Sequence, residues 1–186
     1  MTAWDLSGRR ALVTGAAQGI GAGIAAALRA AGARVTGLDR RAGPDCIGCD
    51  LADPGQIGPA VDRAAERLGG IDILVNNAGI NEKRGLAEID LAHVDRLIAV
   101  NLRAPILVAQ AALAHMGQGG RIVNIASELA YLGRAQASVY AATKGALLSL
   151  TRSWARELSP RILVNAVAPG PTDTPRSIIR STSRIA

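Results

Sequence analysis

The chain of 186 residues is long enough for one domain with a buried core, and 49% of its residues are hydrophobic. Aromatic residues make up only 2%, so the chain lacks the stacking platforms that single-stranded nucleic-acid binders use. The net charge of +6 is scattered rather than gathered in a run, which favours a solvated basic surface over a nucleic-acid partner.

Short β-rich runs alternate with longer helical patterns along the chain. Nearly continuous apolar strands separated by helices are typical of a parallel sheet that is covered on both faces. The pattern predicts an α/β, doubly wound Rossmann-type sandwich of three layers with six parallel strands. The predicted strands are 11–14, 34–38, 46–49, 71–75, 121–125 and 162–167, and the predicted helices are 20–31, 54–68, 91–101, 104–116 and 138–158.

A glycine-rich turn follows the first predicted strand, in the sequence Thr-Gly-Ala-Ala-Gln-Gly-Ile-Gly over residues 14–21. Gly15, Gly19 and Gly21 lie where the chain passes from strand to helix, so they permit a tight turn. A pyrophosphate can then approach the backbone at the helix N-terminus. The strand–turn–helix context predicts a dinucleotide-binding site.

Asp39 stands at the end of the second predicted strand, where an acid can accept hydrogen bonds from adenosine ribose hydroxyls. A carboxylate there repels a 2′-phosphate, which favours NAD over NADP. The neighbouring Arg40 and Arg41 can accommodate that phosphate, so NADP stays open as the less favoured cofactor. Asp50 and Leu51 follow the third strand and are predicted to border the adenine.

Four other residues with reactive or metal-binding side chains receive no chemical role. Cys46 and Cys49 form a C-x-x-C sequence inside a predicted strand, away from a helix start that would lower a thiol pKa. They are interpreted as ordinary core or strand-end cysteines rather than a redox pair. His93 and His115 lie in predicted helices without metal-ligand partners nearby in the sequence.

Tyr140 and Lys144 stand four residues apart on a predicted helix and therefore share one face. A nearby ammonium stabilises tyrosinate and is expected to lower the pKa of Tyr140, which then exchanges protons with an alcohol or carbonyl. Ser127 follows the fifth strand, at the carboxyl edge where doubly wound sheets bind ligands. Its hydroxyl is placed to hold a substrate oxygen beside the phenol.

Two asparagine-containing sequences complete the pattern. Asn76-Asn-Ala-Gly79 ends the fourth strand at the same edge, and Asn101 lies near the end of a helix. Together with the glycine turn, Ser127, Tyr140-x-x-x-Lys144 and Pro169-Gly170, these motifs occur in the order and spacing of one family. The chain resembles the short-chain dehydrogenases/reductases over about residues 7 to 174.

The resemblance implies an oxidoreductase that interconverts an alcohol and a ketone or aldehyde by hydride transfer with a nicotinamide cofactor. It implies that Tyr140 is the general acid/base, that Ser127 orients the carbonyl and that Lys144 lowers the Tyr140 pKa and binds the nicotinamide ribose. Asn101 would support a proton-relay water. The implied cofactor-binding residues are Gly15, Gln18, Gly19, Ile20, Gly21, Asp39, Asp50, Leu51, Asn77, Ala78, Gly79, Tyr140, Lys144, Pro169, Gly170 and Thr172.

The chain ends soon after Gly170, where the family usually continues into a lid and a seventh strand. Residues 1–175 are expected to form the catalytic Rossmann domain and 176–186 an irregular tail, from a truncated or out-of-frame gene end. A homodimer through 91–116 and 138–158 is expected, and a tetramer is not. The alternatives are a cofactor-binding remnant with little activity and a basic nucleic-acid binder.

The predicted location is cytoplasmic. The first residues lack the basic and apolar segments of a secretory signal, and no apolar run is expected to span a bilayer. A small-molecule alcohol or ketone is therefore the expected partner, with neither a membrane nor a nucleic acid.

Overall fold

The computed structural model describes residues 4–173, where strands and helices alternate along the chain. The strands are β1 (Arg10–Thr14), β2 (Arg34–Asp39), β3 (Cys46–Gly48), β4 (Ile71–Asn76), β5 (Met116–Ile125) and β6 (Ile162–Val167). The helices are α1 (Gly19–Ala30), α2 (Pro54–Leu68), α3 (Leu91–Ile98), α4 (Ala104–Leu113), α5 (Leu129–Leu132) and α6 (Ser138–Leu158), with a 3₁₀ turn at Leu86–Glu88 and a π-helical turn at Ala99–Arg103.

The six strands form one sheet in the order β3-β2-β1-β4-β5-β6, and every neighbouring pair is parallel. The strand order reverses between β1 and β4, so a crevice opens there at the carboxyl ends of the strands. The predicted Rossmann-type α/β fold is confirmed. The expected tail, 176–186, lies outside the described residues, and the domain boundary at residue 175 stays a prediction.

Alternate residues of the inner strands enter the two faces of the sheet. Leu12, Leu74 and Ile122 belong to a core cluster shared with α2 and α4, whereas Val13 and Val75 belong to a second cluster shared with α1. A parallel sheet with both faces buried needs apolar residues at nearly every position of its strands. This requirement explains why the strand pattern was readable from the sequence.

The predicted bounds were wrong in the segment between β4 and β5. The helices expected over 91–101 and 104–116 are joined by the π-helical turn into one helix, which ends at Leu113. Met116 already belongs to β5, which is twice as long as the predicted strand 121–125. Its first half reads Met-Gly-Gln-Gly-Gly, and glycines weaken the apolar pattern by which a strand is recognised.

The joined helix Leu91–Leu113 has 23 residues and is long and apolar enough, by length and composition alone, to cross a membrane. Length and composition alone are weak evidence for a membrane span, and charged residues interrupt the apolar residues of this helix. In the fold, however, the helix contacts α2, β4, β5 and α6, and Leu97, Val108 and Ala112 are fully buried. These are the contacts of a helix packed in a protein core, and such a helix can be as long and as apolar as one that spans a membrane.

Candidate active site

The loops after β1, β4 and β5 meet at one edge of the sheet because these strands are neighbours in the order β1-β4-β5. They bring together the glycine turn, the segment Asn77–Gly79 and Ser127. Helix α6 contacts β5 and β6 and adds Tyr140 and Lys144. The fold thus places the predicted catalytic residues and most of the predicted cofactor-binding residues on one side of the molecule.

The glycine turn has the open backbone that its sequence predicts. Gly15 has φ +68° and Gly19 has φ +57°, both in the left-handed region where glycine is favoured. A Cβ on Gly21 would lie 2.1 Å from Gly15 O and 2.4 Å from Asn77 Nδ2, so no side chain fits there. A bare backbone at the start of α1 fits a pyrophosphate at the helix N-terminus. Ile20 lies in the first turn of α1, half-buried.

A hydrogen-bonded link joins the glycine turn to the end of β4, and sequence reasoning missed it. Thr14 Oγ1 accepts from Asn77 N and Ala78 N, each at 3.0 Å. Asn77 Nδ2 donates in return to Thr14 O at 2.8 Å and to Gly15 O at 3.3 Å. The buried threonine before the first glycine was the only available signal, because register between distant segments is not visible in a sequence.

Asp39 ends β2 beside the glycine turn, as predicted. Its carboxylate accepts hydrogen bonds from Ala17 N at 3.2 Å and from Arg41 N at 3.1 Å. The Arg41 guanidinium reaches Gln18 Oε1 at 3.3 Å, so an acid and a base both stand at this end of the crevice. A carboxylate and a guanidinium therefore stand close together at the carboxyl end of β2.

Asp50 and Leu51, predicted to border the adenine, lie in different environments: Asp50 forms local hydrogen bonds and Leu51 packs in the core. Asp50 Oδ1 accepts from Ala52 N at 3.0 Å, and the Asp50 backbone N–H donates to Gln56 Oε1 at 2.9 Å. The Leu51 side chain is buried in the main core cluster. Leu51 therefore has a packing role, and any contact it makes with a ligand would come from its backbone.

Lys144 lies almost completely buried behind the site. Its Nζ donates to Ile125 O at 2.7 Å, and burial lowers the pKa of the ammonium to about 8. A Cβ on Gly79 would lie 3.3 Å from Lys144 Nζ and 3.3 Å from Asn101 Oδ1. A side chain at position 79 would therefore crowd both groups.

The pKa of Tyr140 is shifted upward, whereas the sequence predicted a downward shift. Burial raises the pKa of its phenol, and a side-chain hydrogen bond with Ser127 partly offsets that rise. The predicted lowering by Lys144 is wrong, because burial is the largest cause of the shift and Lys144 Nζ, 5.9 Å from the ring centroid, donates to the Ile125 carbonyl. The phenol is therefore protonated at neutral pH, next to a buried Ser127.

Asn101 lies in the π-helical turn, and its side chain is fully buried. Its Nδ2 donates to Ile80 O at 2.9 Å and to Thr143 Oγ1 at 3.2 Å, while its Oδ1 accepts from Ile80 N at 2.8 Å. Both amide protons are used within the protein, so the side chain holds the segment after β4 against α6.

The segment after β6 approaches the site through Glu128. Glu128 N donates to Pro169 O at 3.0 Å, and a Cβ on Gly170 would lie 3.0 Å from Glu128 Oε2. Thr172 is exposed, and its hydroxyl donates to Gly170 O at 3.1 Å. Glu128 was not singled out from the sequence because a lone acid after a serine carries no recognisable pattern.

The remaining reactive groups lie away from Ser127 and Tyr140. Cys46 is half-buried at the start of β3 and Cys49 is buried just after it, and neither forms a disulfide. Burial raises the pKa of Cys46 to about 11 and also raises that of Cys49. His93 is buried against Glu82 at 3.5 Å, and His115 pairs with Asp62 at 2.7 Å.

Comparison with known proteins agrees with this geometry. The family model described as "short chain dehydrogenase" matches residues 9–183. L-xylulose reductase from Bos taurus is 42% identical over an alignment of 185 residues, and the match covers 91% of this chain and 74% of the relative.

Two solved structures each superpose with a TM-score of 0.87. A short-chain dehydrogenase from Burkholderia cenocepacia J2315 in complex with NADP is 45% identical, and the match covers 91% of this chain and 77% of that one. A blue fluorescent protein from a metagenomic library in complex with NADPH is 42% identical, with 92% and 77% covered. The chain belongs to the short-chain dehydrogenase/reductase family of nicotinamide-dependent oxidoreductases that act on CH–OH groups.

Proposed function

We propose that this chain reduces a ketone to an alcohol, with Tyr140 as the general acid, Ser127 as the residue that orients the carbonyl and Lys144 as a supporting cation. The observation that carries the proposal is the placement of a buried Ser127, just after β5, at the same edge as Tyr140 on α6. A protonated phenol at neutral pH can give its proton to a developing alkoxide.

Each of these residues has a distinct task. The Ser127 hydroxyl donates to the carbonyl oxygen and fixes its position beside the phenol. Tyr140 transfers its proton to the same oxygen as the carbonyl carbon gains a hydride, so the product is a neutral alcohol. Lys144 carries a positive charge below its pKa of about 8, and its Nζ, which donates to Ile125 O, would also bind the nicotinamide ribose. The reverse proton transfer serves alcohol oxidation.

The crevice suits a nicotinamide dinucleotide, which supplies or accepts the hydride when bound. Gly15, Gln18, Gly19, Ile20 and Gly21 would hold the pyrophosphate at the start of α1, where Gly21 has no room for a side chain. The remaining residues proposed to border the cofactor are Asp39, Asp50, Leu51, Asn77, Ala78, Gly79, Tyr140, Lys144, Pro169, Gly170 and Thr172.

We propose NAD as the preferred cofactor because Asp39 is ordered by two backbone N–H groups at the ribose end of the crevice. A carboxylate there accepts from ribose hydroxyls and repels a 2′-phosphate. NADP is the second candidate. It is favoured by Arg40 and Arg41 beside Asp39, and by two similar structures that hold NADP and NADPH.

The ratio of kcat/KM values for NADH and NADPH decides between the two cofactors. We expect NADH to be preferred and Asp39→Ser to shift that preference toward NADPH. A higher kcat/KM with NADPH in the unaltered chain would reverse the assignment and place the phosphate against Arg40 or Arg41.

The substrate is proposed to be a small ketone of the sugar type, since a 42% identical relative is an L-xylulose reductase. The experiment is a screen of ketoses and simple cyclic ketones by loss of NADH or NADPH absorbance, together with fluorescence titration of NADH. Turnover supports the proposal. Cofactor binding without turnover on any ketone or alcohol supports a binding remnant instead, and absence of binding overturns both.

A homodimer through the long helices is also proposed. Helices α3 and α6 enclose an apolar groove of about 530 Å³, with Ile98, Leu102, Val139 and Ala142 in its walls. A second copy that lays the same helices against this groove would cover the half-exposed Ile98 and Ile106. Light scattering should give twice the chain mass, and Ile98→Glu should give the monomer. The cytoplasmic location stays a prediction.

A further inference from the structure

Three polar side chains are buried together in the core behind the active site. Asn124 is fully buried, Asn76 is 2% exposed and Thr151 is 8% exposed. They come from β5, β4 and α6, and Asn76 and Asn124 are register partners on the two neighbouring strands. Buried polar groups destabilise a fold unless they form hydrogen bonds, so their placement requires an explanation.

The three side chains form one hydrogen-bonded row that crosses from the sheet to the helix. Asn76 Nδ2 donates to Asn124 Oδ1 at 2.9 Å, and Asn124 Nδ2 donates to Thr151 Oγ1 at 3.0 Å. The Thr151 hydroxyl donates in turn to Leu147 O at 2.7 Å. We call this row, Asn76–Asn124–Thr151, the polar row.

The polar row is one of two polar attachments between α6 and β5. The other is the hydrogen bond of Lys144 Nζ to Ile125 O, one residue after Asn124 on the strand. Thr151 follows Lys144 by seven residues, which is about two helical turns, so both attachments lie on one face of α6. Because the two hydrogen bonds lie about two turns apart along α6, they fix both the rotation of the helix and its position along β5.

This register matters because the reacting groups stand on the two attached elements. Ser127 follows β5 by two residues, and Tyr140 lies one turn before Lys144 on α6. Apolar contacts tolerate small sliding of a helix over a sheet, whereas a hydrogen bond fails when its atoms separate by a fraction of an ångström. The distance from Tyr140 to Ser127 therefore depends on the attachments behind them.

We infer that Asn124 and Thr151 are positioning residues for the proposed reaction: the polar row sets the register of α6 on β5 and thereby holds the Tyr140 phenol against Ser127. This inference rests on the proposed function. Neither residue contacts the reacting groups, and each acts through the helix and strand that it joins.

The test compares two substitutions at one position. Thr151→Val removes the hydroxyl at nearly constant volume and leaves Asn124 Nδ2 without its acceptor, whereas Thr151→Ser keeps the hydroxyl. We expect Thr151→Val to lower kcat on the order of 10- to 100-fold, since small misplacement of reacting groups has such effects. The affinity for NADH should not change, and Thr151→Ser should restore kcat.

A second readout needs no substrate. The chain has only two tyrosines, and Tyr131 is 70% exposed. In a Tyr131→Phe background, ultraviolet difference absorption therefore reports the titration of Tyr140 alone. Because the Ser127 hydrogen bond lowers the Tyr140 pKa, loss of register should move the midpoint upward in Thr151→Val and not in Thr151→Ser. Circular dichroism at each pH confirms that the chain is folded.

The control is Thr36→Val, which makes the same chemical change at a buried threonine of β2, three strands from β5. It should change neither kcat nor the Tyr140 midpoint. An unaltered kcat and midpoint in folded Thr151→Val would overturn the inference. If that variant does not fold, Thr151→Cys replaces it, because sulfur is a weak acceptor and should give a smaller shift in the same direction.

The two hypotheses fail separately. Absence of turnover in the unaltered chain refutes the proposed function, while the Tyr140 titration still tests the polar row. Full turnover in Thr151→Val with an unmoved midpoint refutes the polar row and leaves the proposed function intact.

Discussion

Replacing Lys144 by methionine should make the chain more stable while it removes activity. Lys144 is one of the two lysines in the sequence and is 3% exposed, so its ammonium has left water almost completely. Burial lowers its pKa from 10.5 to about 8, which means that the folded chain disfavours the charged form. Methionine has a similar length and shape but carries no charge to bury.

The magnitude follows from the pKa difference. A lowering from 10.5 to about 8 corresponds to a destabilisation of about 3 kcal/mol at neutral pH, where the ammonium is charged in both states. Loss of the hydrogen bond from Nζ to Ile125 O subtracts about 1 kcal/mol from the gain. Lys144→Met should therefore raise the free energy of unfolding by about 2 kcal/mol at pH 7.

The dependence on pH identifies the cause. A lysine with a lowered folded-state pKa destabilises the fold fully below about pH 8, and this destabilisation fades as pH rises toward 10.5. The advantage of Lys144→Met should thus shrink by about 2 kcal/mol between about pH 7 and about pH 9.5. Tyrosine and cysteine titrations occur in both proteins, so they cancel in the difference.

The assay is urea unfolding of both proteins at the two pH values, followed by circular dichroism. Lys83→Met is the matched control, because Lys83 is the other lysine of the chain and is exposed, and it should change stability little at either pH. Equal stability of Lys144→Met and the unaltered chain, or a gain that does not vary with pH, would refute the account of a buried charge.

Three other substitutions or treatments test separate parts of the account. Gly21→Ala should abolish NADH binding measured by fluorescence, because a Cβ on Gly21 would lie 2.1 Å from Gly15 O. Gly23→Ala is the control and should bind NADH normally, because a Cβ there meets no atom within 4 Å. Equal NADH binding by the two variants would contradict this account. Thr14→Val should weaken NADH binding and lower Tm by removing the acceptor of two N–H groups, and Thr14→Ser should restore both. The two cysteines should react slowly with iodoacetamide at pH 8 by mass spectrometry, because burial raises their pKa values, and fast labelling of the folded chain would refute their burial.

The sequence predicted the sheet and the catalytic edge because both follow from local patterns. Buried parallel strands are apolar throughout, and the predicted bounds of β6, α2 and α6 agree with the structure. Two predicted bounds were wrong, those of the helix after β4 and of the start of β5, and both errors have one physical origin. A π-helical turn at Asn101 and a glycine-rich start of β5 are set by tertiary contacts, which leave no periodic signal.

The sequence predicted that the candidate residues lie at one edge of the sheet, and it did not predict the electrostatics of Tyr140. Spacing alone places Tyr140 and Lys144 on one face, so their proximity was foreseeable. The direction of the Tyr140 pKa shift depends instead on burial and on where Lys144 Nζ points, and Nζ points to Ile125 O. The links through Thr14, Asn77 and Asn124 join residues far apart in the chain, so only the fold reveals them.

The most direct measurement of the central claim is the turnover of Tyr140→Phe on a ketone that the unaltered chain reduces, alongside its NADH dissociation constant. Tyr131→Phe serves as control, because it makes the same chemical change at the exposed tyrosine. Loss of a general acid should lower kcat about 10²- to 10⁴-fold and leave NADH affinity and Tm unchanged. A Tyr140→Phe variant that keeps the kcat of the unaltered chain would contradict the assignment of Tyr140 as proton donor.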